Sequence, residues 1–568
     1  MKKRWIYREI PTMEKIRHLA DSIGVTEALA TLLVQRNIHS FEEAKSFFRP
    51  SLDELPDPFL MKDMTKAVAR LQQCVEEQEK LLIYGDYDVD GTTAVALVYD
   101  FLKDFHSELD FYLPDRHREG YGVSNAAIEW AHEQGFQLII SLDCGIKAVE
   151  PVRLARSLGI DFIICDHHLA GEELPPATAI LNPKQEDCFY PFQELTGCGI
   201  GFKLIEAFCI ASSLDSNLAL AHLDLVAVSI ALDMVPMVGE NRTLAYYGLQ
   251  KLAQQPRPGL KALMEIAGLA RKTDLSISDL VFKLGPRINA VGRLKHARQA
   301  VELLIAQDER QTEEAARELN QLNNTRKHLD HTCTEEALEM IKTKYQSGCT
   351  TVLFKPDWHQ GVIGIVASRC IEQYHRPTII LTQSEEEDIL VGSGRSIPGF
   401  DLYEALHLCA DLLIRYGGHR QAAGLSLKKE NLDVFRNTFE KIVAQNIQQE
   451  HLVAPLDIDL CIHLEEITPK FYRIIRQMAP FGPQNMRPVF VSKELICTQV
   501  KLLKEQHLRF YVSQKDSSVS FPVIGFQMAA YYPALIQAKS LNLCYIIEEN
   551  EYQGNSTLQL QARAIQII

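Results

Sequence analysis

Three aspartates stand at every second position within residues 81–93, which read LLIYGDYDVDGTT. The apolar run at the start predicts a buried strand, Asp86, Asp88 and Asp90 follow it, and AVALVYDFL then predicts a helix. Three carboxylates within five residues repel one another unless a cation neutralises them. The stretch therefore predicts a divalent-metal site on the loop that leaves a strand, where open α/β sheets bind ligands.

Two simpler interpretations of this stretch are a calcium loop and a solvated turn. A D-x-D-x-D-G string also opens a calcium loop of the EF-hand type, which needs a Glu at the twelfth position and a preceding helix. Counting from Asp86, the twelfth residue is Leu97, and the preceding residues resemble a strand. The calcium loop is therefore disfavoured, whereas a solvated turn stays open for the string alone, because Asp and Gly are ordinary turn residues.

Three further polar motifs follow apolar runs in the same part of the chain. QLIISLD ends at Asp143, DFIICDHH ends at Asp166, His167 and His168, and AHLDLVAVSIALD ends at Asp233. Strand and helix patterns alternate here, which favours a parallel sheet with crossover helices. Because the carboxyl ends of parallel strands meet along one edge, the four motifs predict one converged metal site, although each alone could be a polar cap.

Two basic stretches could contact phosphate groups. FYLPDRHREGYGVS places Arg116 in a loop with Gly and Pro, and arginine offers phosphate two parallel hydrogen bonds. KLGPRINAVGRLKHARQA places Arg287, Asn289 and Arg293 among glycines and a proline, which predicts a phosphate-contacting loop. A solvated basic surface is the alternative for both stretches.

Two glycine-rich stretches follow in a second strand–helix–strand pattern. ILVGSGRSIPGFDL places Ser393 and Arg395 on a predicted turn, and LIRYGGHRQAAGLSL places Gly417, Gly418 and His419 on another. Glycine allows a ligand to approach the backbone closely, and backbone amides in such turns bind phosphate. Together the stretches predict a second wall of an active-site cleft.

Short alternating strands from about residue 453 onward predict an antiparallel barrel, an oligonucleotide-binding (OB) type of fold. Lys501 and Arg509 lie among Phe510 and Tyr511, a mixture that single-strand binders use. Aromatic residues in a barrel pack in the core more often than they stack on bases, so either interpretation is open.

The length, net charge and cysteine count are those of a multidomain globular protein. The 568 residues allow three or more domains. The net charge of −15 argues against a general nucleic-acid coat but not against a local basic groove. Thirteen cysteines without a C-x-x-C pair predict reduced thiols in a cytoplasm. No apolar run has the length of a membrane span, and the start lacks the pattern of a secretory signal.

The predicted organisation is α/β with five parts. They are a helical preface at 1–60, a parallel-sheet catalytic domain at 61–240, a helical connector with a basic loop at 241–347, a second α/β domain at 348–448 joined through a long helix, and an OB-like barrel at 453–568.

The motifs GDYDVDGTT, SLDCGI, CDHH and ALDMVPM, in this order, resemble the four motifs of the DHH phosphoesterase superfamily. GSGRS and GGHRQAAG resemble its DHHA1 domain, and GPRINAVGRL and APFGPQNMRPVF are similar to the RecJ family of exonucleases. The resemblance covers nearly the whole chain. It implies a bacterial, cytoplasmic 5′→3′ exonuclease that releases 5′-mononucleotides from single-stranded DNA during recombination and repair.

The same resemblance implies cofactors, partners and residue roles. It implies two divalent metal ions (manganese preferred, magnesium possible), single-strand-binding protein and a RecQ-type helicase as partners, no membrane association and a monomer. The implied metal ligands are Asp86, Asp88, Asp90, Asp143, His167 and Asp233. The implied catalytic residues are Asp143, His167, His168, Arg395 and His419. The implied substrate-binding residues are Arg116, Arg287, Asn289, Ser393, Arg395, Gly417, Gly418 and His419.

Two alternative functions stay open. One is a phosphodiesterase of the same superfamily that acts on nanoRNA, pAp or cyclic dinucleotides, which needs neither the barrel nor the GPRINAVGRL stretch. The other is a catalytically inert replication scaffold, which would have lost metal ligands that this chain retains. The exonuclease hypothesis predicts that removal of residues from about 453 onward weakens binding of long strands more than hydrolysis of dinucleotides.

Overall fold

The computed structural model describes residues 3–115, 119–344, 347–552 and 555–568. They form two compact units. The first unit comprises Met13–Asn323 and Ile474–Arg487, and the second comprises Met1–Thr12, Asn324–Arg473 and Pro488–Ile568. The five-part division predicted from the sequence is finer than these two units and stays a prediction.

The described strands and helices are numbered in chain order. The strands are β1 (Arg4–Tyr7), β2 (Leu81–Gly85), β3 (Leu109–Tyr112), β4 (Leu138–Leu142), β5 (Asp161–Cys165), β6 (Ala179–Leu181), β7 (Thr351–Phe354), β8 (Thr378–Gln383), β9 (Ile389–Arg395), β10 (Arg415–His419), β11 (Ala422–Lys428), β12 (Pro455–Ile458), β13 (Leu460–Cys461), β14 (Phe490–Leu503), β15 (His507–Ser513), β16 (Ser520–Gly525), β17 (Leu541–Tyr552) and β18 (Asn555–Ile567). The helices are α1 (Met13–Ile23), α2 (Glu27–Val34), α3 (Phe41–Phe48), α4 (Met64–Glu76), α5 (Val89–Leu102), α6 (Asn125–Glu133), α7 (Val149–Ser157), α8 (Gly197–Ala211), α9 (Asn217–Leu220), α10 (Leu223–Asp233), α11 (Gly239–Gln254), α12 (Pro258–Ile266), α13 (Ile277–Asp279), α14 (Gly285–Leu294), α15 (Arg298–Ile305), α16 (Glu309–Lys344), α17 (Ile363–Tyr374), α18 (Leu402–His407), α19 (Leu432–Asn446), α20 (Pro469–Gln477) and α21 (Tyr532–Gln537). None of the described helices has the length and apolar character that crossing a membrane requires.

The first unit is built around a parallel sheet in the order β3-β2-β4-β5-β6. Strands β2 and β4 are buried along their whole length, and β5 is buried except at its first residue. Strands with helices on both faces need such continuous apolar runs. The predicted parallel-sheet class is confirmed, and the sheet brings the carboxyl ends of β2, β4 and β5 side by side.

Two elements of the first unit differ from the sequence-based prediction. The apolar run before Asp233 is helix α10, so Asp233 ends a helix instead of following a strand. Apolar runs of this kind have no clear period, and a fully buried helix shows the same pattern as a buried strand. The GPRINAVGRL stretch is helix α14 and not a loop, because proline is well tolerated in the first turn of a helix.

The second unit contains a mixed sheet in the order β10-β11-β9-β8-β7. Strands β7 and β8 are parallel, and the other neighbouring pairs are antiparallel. The two glycine-rich stretches lie within β9 and β10 and not on turns, which corrects the sequence-based prediction. The prediction of a second α/β domain that follows a long helix is confirmed, and that helix, α16, has 36 residues.

The C-terminal part of the second unit is a closed five-stranded barrel in the order β14-β15-β16-β18-β17, closed by the pairing of β14 with β17. Its pairs are antiparallel except β16 with β18. The predicted barrel is therefore confirmed. Phe510 is fully buried in it, so this aromatic residue belongs to the core and not to a stacking surface. Strand β1 pairs with β12 in this unit, so the predicted helical preface also contains a strand.

Residues 474–487 belong to the first unit although the chain on either side of them belongs to the second. Arg242 is 4% exposed, and its guanidinium donates hydrogen bonds to the carbonyls of Met478, Ala479 and Pro480. It also donates two to the carbonyl of Phe47. Truncation at about 453 would remove part of the first unit, so it cannot isolate the contribution of the barrel.

Candidate active site

The loop after β2 forms the first part of the site. Asp86 follows the last residue of β2, and the side chain of Asp88 caps helix α5 by accepting a hydrogen bond from Gly91 N at 3.1 Å. A side chain at position 91 would clash with the backbone of Asp86, because a Cβ atom there would lie 2.4 Å from the Asp86 carbonyl oxygen. Glycine at this position therefore lets the first turn of α5 pack directly on the loop that carries the aspartates.

Asp143 follows β4 and has a backbone φ of +61°. This left-handed conformation is uncommon for residues other than glycine, although Asp and Asn tolerate it best. Asp143 is 2% exposed. A Cβ at Gly197, the first residue of α8, would lie 2.5 Å from the Cβ of Asp143, so glycine allows the start of α8 to pack against this aspartate.

The three residues after β5, Asp166, His167 and His168, have side chains with different roles. Asp166 accepts hydrogen bonds from the backbone N and the ring Nδ1 of His168 at 3.1 and 2.8 Å, and from Ile146 N at 2.9 Å. His167 points towards the other acids, with Nε2 3.1 Å from Asp143 Oδ1. Asn182 donates to the His168 carbonyl at 2.9 Å. Asp166 and Asn182 therefore orient His168.

The structure brings all six predicted metal ligands together. His167 Nε2 lies 3.7 Å from Asp90 Oδ2, and its Nδ1 lies 3.7 Å from Asp233 Oδ2. Among the described residues, three groups each have ligand atoms within 4.8 Å of one another. The groups are Asp86–Asp88–Asp143, Asp90–His167–Asp233 and Asp143–His167–His168. Because Asp143 and His167 are shared between groups, the arrangement can hold more than one ion.

The electrostatics of the site favour a bound cation. Burial, followed by the charges of Asp90, Asp88 and Asp86, raises the pKa of Asp143 well above its usual range. Burial and the charges of Asp90 and Asp88 raise the pKa of Asp233 to about 8. Without a cation the carboxylates therefore cannot all remain ionised at neutral pH. A divalent ion relieves this repulsion, because it favours the ionised form of every carboxylate ligand.

The pKa values of His167 and His168 shift in opposite directions. Burial lowers the pKa of His167 and keeps it neutral, the form that binds metals. For His168, burial lowers the pKa and the hydrogen bond with Asp166 raises it, and the net shift is upward. His168 is thus suited to donate a proton or a hydrogen bond to a phosphate oxygen.

Two buried ligand atoms that make no hydrogen bond support a metal at this place. Within the part of the chain that the structure describes, neither Asp143 Oδ1 nor His167 Nδ1 makes a hydrogen bond, although both atoms are inaccessible to solvent. Buried polar atoms are normally satisfied, so each such atom needs an explanation. The mixed carboxylate and imidazole set fits Mn²⁺ well, and its carboxylates also suit Mg²⁺.

Helix α14 adds a basic wall to the aspartate loop. A cavity of about 300 Å³ is lined by Asp86, Tyr87, Asp88, Tyr121, Asn289, Gly292 and Arg293. A Cβ at Gly292 would lie 2.7 Å from the Tyr87 carbonyl oxygen, so glycine lets α14 pack closely here. Arg287 does not line this cavity; its Nε donates to Asn320 Oδ1 at 3.1 Å. Arg116 lies outside the described residues.

The predicted residues of the second unit, apart from Gly418, lie on one face of its sheet. Across strand β11, Ser393 and Gly417 flank Gly424, and Arg395 and His419 flank Ala422. Alternate residues of a strand point to the same face, which places all of these residues on one face. Arg395 donates a hydrogen bond to Ser393 Oγ at 3.0 Å. Gly418 has a φ of +140°, a conformation that requires glycine.

Several residues of the site were not assigned a role from the sequence. Tyr121 donates a hydrogen bond to the Asp143 carbonyl at 3.1 Å, and its hydroxyl lies 3.3 Å from His168 Nε2. Asp90 accepts hydrogen bonds from the first two amides of α8 and from Ser229. In the sequence, the only indication of a role for Ser229 is its position one helical turn before Asp233, which is a weak signal.

Comparison with known proteins places these features in a family. Three family models match: the DHH family N-terminal domain at residues 80–230, the DHHA1 domain at 346–445 and the RecJ OB domain at 458–564. The single-stranded-DNA-specific exonuclease RecJ of Bacillus subtilis is 35% identical over 99% of this chain and 70% of its own length. The protein of the same name from Haemophilus influenzae is 34% identical over 99% and 98%.

Solved structures agree with this result. The crystal structure of RecJ with Mn²⁺ from Thermus thermophilus matches with a TM-score of 0.85 and 25% identity, over 99% of this chain and 79% of that one. A crystal structure of an exonuclease RecJ bound to manganese matches with a TM-score of 0.61 and 30% identity, over 70% of this chain and 97% of that one.

Proposed function

The chain belongs to the RecJ family of single-stranded-DNA-specific exonucleases, and we propose that it hydrolyses single-stranded DNA at the metal site of the first unit. The observation that carries this proposal is the convergence of five carboxylates and a neutral histidine after β2, β4, β5 and α10. An inert scaffold would not need to keep these mutually repelling acids, of which Asp86, Asp90 and Asp143 are buried.

The residues of the site fit hydrolysis of a phosphodiester. Asp86, Asp88, Asp90, Asp143, His167 and Asp233 would hold Mn²⁺ or Mg²⁺. Such ions, when bound, supply a nucleophile at neutral pH and neutralise charge on the phosphate. His168, oriented by Asp166 and held near Tyr121, can donate a hydrogen bond or a proton to a phosphate or leaving oxygen. Asn289 and Arg293 can hydrogen-bond a phosphate in the neighbouring cavity.

Further features of the family are part of the same proposal. We propose 5′→3′ polarity, release of 5′-mononucleotides and roles in recombination and repair. Arg116, Arg287, Ser393, Arg395, Gly417, Gly418 and His419 are proposed substrate contacts. Single-strand-binding protein and a RecQ-type helicase as partners, a monomeric state and a bacterial cytoplasmic location also stay predictions.

The direct test is product analysis with single strands labelled at either end, in the presence of Mn²⁺. We expect a 5′ label to appear in mononucleotides from the start, whereas a 3′ label remains on shortening strands. Matched duplex DNA should be resistant. Consumption of dinucleotides to pentanucleotides while the long strand survives would instead support a small-substrate phosphodiesterase.

The barrel offers a separate test of strand binding. Lys501 and Arg509 are exposed and lie opposite each other on β14 and β15. Like charges in directly opposite positions destabilise a sheet, whereas a bound phosphate would neutralise both. We expect Lys501→Gln/Arg509→Gln to weaken binding of a long single strand and to reduce the slope of log K against log salt by about 1.4, or about 0.7 for each lost contact.

The control for this variant is Lys429→Gln/Lys441→Gln, which removes the same charge from exposed positions of the same unit. Binding is measured by fluorescence anisotropy at several salt concentrations, and dinucleotide hydrolysis is measured in parallel. Equal salt slopes for the two double variants would exclude this barrel surface from the DNA path.

A further inference from the structure

The hydrogen bonds that Asp90 accepts from the protein have a feature that the ligand set alone does not explain. Asp90 accepts hydrogen bonds from Gly197 N at 2.7 Å, from Cys198 N at 2.9 Å and from Ser229 Oγ at 2.7 Å. Asp90 is 2% exposed and Ser229 is fully buried. A carboxylate with three donors is ordered before any ion binds, because no solvent reaches it to offer other partners.

The donors are divided unequally between the two oxygens. Cys198 N and Ser229 Oγ both bind Oδ1, which uses the two lone pairs of that atom. Gly197 N binds Oδ2, which keeps one lone pair. Oδ2 is also the oxygen that lies 3.7 Å from His167 Nε2. Oδ1 of Asp90 therefore has both lone pairs occupied by hydrogen bonds from the protein, whereas Oδ2 faces the remaining ligands.

The hydroxyl of Ser229 is itself held in place. Its Oγ lies 2.6 Å from Thr196 Oγ1. A carboxylate can only accept, so the single Ser229 proton is directed to Asp90 and the contact with Thr196 uses the Thr196 proton. Thr196 Oγ1 accepts in turn from Gly199 N at 2.9 Å as the cap of α8. The chain of donors therefore runs from the first turn of α8 through two hydroxyls to Asp90.

We propose that Ser229 is a positioning residue that makes Asp90 a ligand through Oδ2 alone and thereby sets the affinity of the metal site. Ser229 lies one turn before Asp233 on α10, so the same helix supplies a ligand and the hydroxyl that orients another. Without Ser229, Asp90 gains a free lone pair on Oδ1 and is held by its two backbone donors alone. This proposal rests on the metal site of the proposed function.

The test is Mn²⁺ binding by the full-length chain without DNA, followed through the sharp electron paramagnetic resonance signal of free Mn²⁺. Loss of a residue that orients a metal ligand typically weakens metal affinity by about 10- to 100-fold, and we expect Ser229→Ala to fall in this range. Ser229→Thr, which keeps the hydroxyl, should restore affinity. Thr196→Val should weaken affinity by a smaller factor, because it removes the donor to Ser229 and retains the side-chain shape.

The matched control is Ser492→Ala in the second unit, which removes another fully buried serine hydroxyl placed between two partners, the Ile462 carbonyl and the Tyr545 hydroxyl. It should bind Mn²⁺ like the unaltered chain. Ser229→Ala with affinity within about threefold of the unaltered chain would overturn the proposal. The proposal would also be overturned if Ser229→Ala and Ser229→Thr weakened Mn²⁺ affinity equally and lowered the melting temperature measured without metal equally. If the unaltered chain bound no Mn²⁺, the proposed function would fail as well.

Discussion

Replacement of Asp143 by asparagine is expected to reduce Mn²⁺-dependent hydrolysis of single-stranded DNA by at least about a thousandfold, a loss of about 4 kcal/mol of transition-state stabilisation. Asp143 belongs to two of the three ligand groups and lies 3.1 Å from His167 Nε2. An amide removes the negative charge while it keeps the size of the side chain. Asparagine is preferred to alanine here, because the backbone φ of +61° is tolerated by Asn and strained for Ala.

The melting temperature of Asp143→Asn without metal shows whether the variant has lost only a metal ligand or has also lost stability of the fold. Burial and four neighbouring aspartates disfavour the ionised form of Asp143. Without metal, Asp143→Asn should therefore melt at the same temperature as the unaltered chain or higher, and added Mn²⁺ should stabilise it less. Asp433→Ala, which changes an exposed aspartate of the second unit, is the control. If Asp143→Asn retained more than a tenth of the activity, Asp143 would not be part of the catalytic centre.

The largest expected effect on stability comes from Arg242→Met. All five N–H groups of this guanidinium donate to carbonyl oxygens of Phe47, Met478, Ala479 and Pro480. Burial lowers the pKa of Arg242 to about 10, so it stays charged at neutral pH. Its substitution removes the Arg242 donors from the part-buried carbonyls of Phe47 and Ala479, whereas those of Met478 and Pro480 keep Asn485 Nδ2. Each unsatisfied group costs about 1–3 kcal/mol. We expect the free energy of unfolding to fall by at least about 3 kcal/mol.

The measurement is the melting temperature and the urea midpoint of the full-length chain, with Arg156→Met as the control for an exposed arginine of the same unit. Limited proteolysis should cleave the variant within residues 474–487 earlier than the unaltered chain, because Arg242 is the main donor to the start of this segment. Melting temperatures of Arg242→Met and Arg156→Met that agree within a degree would show that the segment is held by other contacts.

Much of the site was predictable from local sequence, for a physical reason. Buried parallel strands require apolar runs, and ligand-binding loops follow their carboxyl ends, so the positions of Asp86, Asp143 and His167 along the chain carried the prediction. Glycine at position 91 is likewise a local requirement, since only glycine lets α5 start against the loop. The order of the motifs was sufficient to identify the superfamily.

The tertiary structure alone decided the features that depend on distant residues. The donors to Asp90 from α8 lie 107 and 108 positions along the chain, and Ser229 lies 139 positions away. The carbonyls that Arg242 binds lie up to 238 positions away. No periodicity or motif reports such pairs, because a buried polar atom takes whichever partner packing brings within reach. The sequence thus determined which chemistry the chain carries, and the packing determined which atoms are oriented to perform it.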